Sequence, residues 1–152
     1  MSYDASLGGG GWTVGDIKPP TQGATGYPTA GTAGYPAGAT PVAATASGGN
    51  ALTTATLPGV AGKTTYLTSL QISGGGATAA ALASGSLSGV LGGTQTLIVG
   101  VPAGVAVAVQ PLVVNFNPPL PASAVNTAIA CALSAFGAGN VVEAVSLQGF
   151  QL

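Results

Sequence analysis

Enzymes working near neutral pH draw on few side chains, with His, Asp, Glu, Lys and activated Cys serving as acids, bases and nucleophiles. This chain of 152 residues offers three carboxylates, two lysines, one cysteine, and no histidine or arginine. The charged residues are Asp4, Asp16, Lys18, Lys63 and Glu143. Their spacing assembles no site. Asp4, Asp16 and Lys18 lie in a Gly-rich stretch with no rigid frame, and Glu143 has no second carboxylate near it in sequence. Glycoside hydrolysis needs two carboxyl groups held roughly 5 to 9.5 Å apart, and nothing here fixes such a pair. Lys63 and Glu143 read as solvated surface charges, with an ion pair between them as the alternative.

The remaining reactive groups fare no better. Cys131 sits between Ala130 and Ala132, flanked by Ile129 and Leu133. It reads as a small buried hydrophobe. A reactive thiolate would need a basic neighbour, and a serine nucleophile would need a histidine base. The glycine run at residues 8–11 lacks the Lys and Ser/Thr of a phosphate-binding loop. No set of ligands suits zinc or calcium. The sequence therefore predicts no catalytic residue, no cofactor and no metal, and so a protein that is not an enzyme.

The same scarcity limits partners. Charged residues make up 3% of the chain, against roughly 25% in ordinary soluble domains. Binding to nucleic acid draws its affinity from several Lys/Arg on phosphates. Two lysines cannot supply it, and they cannot make a basic membrane-surface helix either. Residues 97–114 are nearly continuous in apolar character, yet Gly100, Pro102, Gly104 and Pro111 interrupt them and no Lys/Arg flanks them. They read as short buried strands rather than a membrane span. The N-terminus, Met1-Ser2-Tyr3-Asp4, shows no secretory signal pattern. A net charge of −1 gives little repulsion between copies, which favours life inside an assembly.

The chain divides by composition. Residues 1–50 are dominated by Gly, Ala, Thr and Pro, with few large aliphatics to offset the entropy of ordering. They read as an extended or disordered N-terminal arm. Gly26-Tyr27-Pro28 is echoed at Gly34-Tyr35-Pro36. Trp12, Tyr27, Pro28, Tyr35 and Pro36 are the candidate anchors by which the arm engages a partner.

Residues 51–152 read as one β-sandwich domain. Strands are expected at residues 52–57, 64–73, 77–87 (with a bulge at Gly85), 94–101, 105–110, 112–116, 126–134 and 141–148, with a rigid Pro-rich loop at 117–121. A short helix over 122–128 is the one helical option, since Ala favours helix. Around eight short strands with regular turn signals point to an all-β antiparallel sandwich, a jelly roll first and an immunoglobulin-like sandwich second.

Particular segments carry a resemblance. Pro111-Leu-Val-Val-Asn-Phe-Asn-Pro-Pro-Leu-Pro-Ala-Ser123, Asn126-Thr-Ala-Ile129, Phe136-Gly-Ala-Gly-Asn140 and the closing Gly149-Phe-Gln-Leu152 resemble head decoration (cement) or minor capsid proteins of tailed bacteriophages. The resemblance implies a β-sandwich that trimerises on a capsid surface and an arm that clamps neighbouring subunits. Its implied partners are the major capsid protein and further copies of itself, and its implied location is the virion, after synthesis in the host cytoplasm. It implies no catalytic residue. The alternative is a receptor- or carbohydrate-binding tail fibre or tip module, using Tyr66, Phe116, Phe136 or Phe150 as aromatic platforms.

Overall fold

Short runs that alternate apolar and polar residues, broken every ten or so residues by Gly and Pro, favour strands over helices. A computed structural model describes residues 35–152, and among them there are eight strands and no helix. The strands are β1 (Thr40–Gly48), β2 (Thr53–Leu57), β3 (Thr65–Gly74), β4 (Ala81–Ser88), β5 (Gln95–Val101), β6 (Leu112–Pro121), β7 (Ile129–Leu133) and β8 (Glu143–Gln151). They form two four-stranded sheets, β1-β8-β3-β6 and β2-β7-β4-β5.

The pairing explains the topology. β1 pairs with β8, β2 with β7, β3 with β6 and β4 with β5, all antiparallel. The chain is thus one long ribbon of paired strands, doubled back at the β4–β5 connection. Rolling the ribbon brings β8 onto β3 and β7 onto β4, and that closes the two sheets. This is the jelly-roll order of an eight-stranded double sheet. An immunoglobulin-like sandwich pairs its strands differently.

Period-two alternation supplies the core. Leu70 and Ile72 of β3 and Val145 and Leu147 of β8 are buried in one sheet, and the register shift between Leu67 and Ser69 brings Leu67 to the same face. Ala55, Leu57, Ala83, Leu87, Val99, Val101, Ile129, Cys131 and Leu133 are buried in the other. Phe136 is the one aromatic among the fully buried members of this cluster. A core of such small side chains stabilises through many modest contacts, at roughly 25 cal/mol per Å² of apolar area removed from water.

Several expectations are corrected. The chain divides into two units at Gly38 and Ala39, so the sandwich begins at Ala39 rather than at 51. Residues 40–48, assigned by composition to the arm, are β1. Val42, Ala44 and Ala46 pack against the core while Ala43, Thr45 and Ser47 face out. Small side chains hid that alternation. The rest of the expected arm, residues 1–34, including Trp12, Tyr27 and Pro28, lies outside the described residues.

Gly85 makes no bulge. It keeps regular register with Leu97 and Leu133. It faces inward, where a Cβ would come within 3.3 Å of Ile72 Cδ1. The irregularity falls instead in β3, between Leu67 and Ser69.

Residues 105–110 form a loop rather than a strand. Gly104 adopts φ 108° and Val107 N donates to the Gly104 carbonyl at 2.9 Å, making a turn. Residues 117–121 continue β6 rather than forming a loop, with Leu120 opposite Leu67 and Pro121 opposite Tyr66. The proline run is tolerated because β6 is an edge strand; its Asn117–Pro118 bond is cis. No helix forms over residues 122–128. Asn126 takes φ 65° there, in a turn.

Candidate functional site

The alternation of antiparallel strands gathers the loops 49–52, 75–80, 102–111 and 134–142 at one end of the sandwich. Glu143, at the start of the central strand β8, is fully buried at that end. Its Oε1 accepts a hydrogen bond from the Ala51 backbone N–H at 2.7 Å, and Oε2 accepts one from the Phe136 N–H at 3.1 Å. Asn140 continues the network. Its Nδ2 donates to the Gly75 carbonyl at 2.7 Å and to the Val142 carbonyl at 3.1 Å, while its Oδ1 accepts from Asn50 N at 3.3 Å. Asn50, at φ 49°, accepts on its own Oδ1 a hydrogen bond from Gly137 N at 3.1 Å. One carboxylate and two amides therefore lace three loops together.

This overturns the reading of Glu143 as a solvated surface charge. It also overturns the Lys63–Glu143 pair, because Lys63 Nζ donates instead to Thr40 Oγ1 at 3.0 Å. A buried carboxylate needs hydrogen-bond donors, and the two backbone N–H groups supply them. Both oxygens are occupied by the protein's own backbone, so the group is arranged to hold loops.

The opposite end is tied in the same manner. Gln151 Nε2 and Thr65 Oγ1 both donate to the Pro58 carbonyl, at 2.7 and 3.0 Å. Asn126 Oδ1 accepts from Gly62 N at 2.6 Å. Among the described residues, no buried side-chain nitrogen or oxygen lacks a partner. These Asn, Gln and Thr anchors are not announced by the sequence, which places residues 135–140 only between two expected strands. A usable signal is Asn at turn positions, since Asn tolerates the left-handed backbone conformation.

Of the expected anchors, Tyr35 is half-buried and Pro36 is exposed. Tyr66 stacks on Phe150, its direct cross-strand neighbour, with ring centroids 4.9 Å apart and planes 11° from parallel. Pro41 and Pro121 occupy the same cross-strand row. Cys131 is buried as expected, and burial pushes its thiol up from 9.0 to about 11. No group of three His, Cys, Asp or Glu comes together among the described residues. No helix among them is long and apolar enough to cross a membrane.

The outer surface is the unusual feature. Lys63 and Glu143 are the only charged residues between positions 35 and 152. With Glu143 buried, the described surface carries one charged side chain. Leu52, Val105, Val107, Val141 and Val142 are exposed at the loop end around Glu143, and Leu82 and Ile98 are exposed on β4 and β5.

No family model matches the chain, and neither a curated protein nor a solved structure matches it. The segments behind the phage resemblance fall on β6 and its entry, on the approach to β7, on the Phe136–Asn140 loop and at the end of β8. They are positions that build the roll.

Proposed function

We propose that this chain is a non-enzymatic structural protein of a phage virion that coats and stabilises the capsid, with its N-terminal arm engaging neighbouring shell subunits. The observation that carries the reading is the sandwich surface with a single charged side chain. A free domain of this size ordinarily keeps many charges in water for solubility. A domain held against a protein lattice has less need of them, and many identical weak contacts add through multivalency. The jelly roll supports the reading by analogy only, since that architecture also serves lectins and cupins. The partners of this reading are the major capsid protein and further copies of the chain.

The tail-tip alternative would need an exposed aromatic platform. Phe136 and Phe150 are buried, Phe116 is half-buried against the core, and Tyr66 is half-buried. The described residues therefore favour the coat reading. The test is to remove residues 1–38 and mix the shortened protein with capsids. The reading expects a folded sandwich with binding lost, and full retained binding would contradict the arm's role.

A further inference from the structure

We propose that the β5 edge joins two copies of this chain, by antiparallel pairing of β5 with β5 about a two-fold axis at Ile98. This goes beyond attachment to a shell, concerns the free protein, and departs from the trimer that the resemblance implies.

A sheet edge presents a row of unpaired backbone donors and acceptors, and proteins normally blunt it with Pro, charge, bulges or short length. Three of the four edges here are blunted. β6 is preceded by Pro111 and ends in Pro118, Pro119 and Pro121, which have no N–H to give. β1 carries Pro41. β2 has only five residues and lies against β1. β5, Gln95-Thr-Leu-Ile-Val-Gly-Val101, runs seven residues with no Pro, no charge and no register shift against β4. Its composition is strongly strand-forming.

A second copy fits this edge better than an unrelated strand does. A two-fold contact sets each residue against its mirror position, so any charge near the axis would meet its like. Neither β5 nor the 89–94 loop beside it holds a charge, and the one cation among the described residues, the half-buried Lys63, bonds Thr40 on an edge of the other sheet. An axis at Ile98 opposes Ile98 to Ile98, Thr96 to Gly100, and Leu97 to Val99. The outward Ile98 pair is 57% exposed in the single chain and would cover itself as a β-branched cross-strand pair. Leu82, 78% exposed and opposite Gly100 on β4, extends the apolar patch. The second sheet would run on as eight strands across the axis. One pair of seven-residue strands is small beside the roughly 1,200 Å² of a standard stable interface, so the dimer should be reversible and concentration-dependent.

Sedimentation velocity of the full chain over a concentration series tests this. A monomer–dimer equilibrium is expected. Ile98→Lys opposes two ammonium groups at the axis and should weaken association on the order of tenfold or more, while Ile98→Thr keeps it. Ile98→Cys provides a test with little risk to folding, because directly opposed strand residues lie about 4.5 to 5.5 Å apart at Cα, within disulfide reach. Mild oxidation should then give a covalent dimer, whereas the buried Cys131 of the parent chain should give none. A monomer at all concentrations, a trimer, unchanged association of Ile98→Lys, or failure of Ile98→Cys to cross-link would each overturn the proposal.

Discussion

Glu143 Oε1 lies 2.7 Å from the backbone nitrogen of Ala51, joining the start of β8 to the loop between β1 and β2. Its other oxygen holds Phe136 N, so the carboxylate works only as a double acceptor. Glu143→Gln conserves shape but turns one acceptor into a donor facing an N–H. A buried group left unsatisfied costs about 1–3 kcal/mol, more when the native bond is charge-assisted. We expect a loss of about 2–4 kcal/mol in urea unfolding, with Glu143→Ala at least as costly. A loss under about 0.5 kcal/mol, the level of an ordinary surface change, would contradict the structural role.

Cys131 makes a pH prediction. Its folded pKa is raised from 9.0 to about 11 by burial. The folded state therefore holds the thiol proton more tightly than the unfolded chain does. The associated stability is fully present below pH 9.0 and is lost as pH rises toward about 11. The comparison is with Cys131→Ala, whose unfolding free energy should fall less over the same range. Parallel pH profiles for the two proteins would contradict it.

The Tyr66–Phe150 stack should couple the ends of β3 and β8. A double-mutant cycle with Tyr66→Ala and Phe150→Ala should give a coupling energy of about 0.5–1.5 kcal/mol. Additive losses would mean that the rings are merely adjacent.

Two glycines with similar backbone should respond differently to substitution. Gly62 has φ 74° and open space where an added methyl group would sit, whereas at Gly89, φ 78°, a Cβ would run into the Ala128 carbonyl oxygen. Gly62→Ala should cost about 1–2 kcal/mol of backbone strain. Gly89→Ala should cost at least about 1 kcal/mol more, because the loop must also move. Thermal unfolding of the pair distinguishes strain from collision, and equal shifts would contradict the packing.

The sheets were legible where alternation used contrasting side chains. Residues 64–73 read as a strand, and β3 spans Thr65–Gly74 with Leu70 and Ile72 buried on either side of the exposed Gln71; Leu67 reaches the same face only through the register shift before Ser69, which alternation does not announce. β1 was illegible because Val42, Ala44 and Ala46 differ little in size from Ala43, Thr45 and Ser47, so composition outweighed pattern. The proline run of β6 reads as a loop because edge position, which excuses missing donors, is a tertiary fact. Glu143 reads as solvated because its partners are backbone N–H groups on two separate loops, which no residue type announces. The candidate anchors were legible only as an aromatic echo in a Gly-rich segment, and three of the five lie outside the described residues.

The coat reading is tested most directly by immunogold electron microscopy of intact phage particles with antibody raised against the sandwich. Label spread over the head is the predicted result. Label confined to the tail tip or fibres, or no label on particles at all, would contradict it.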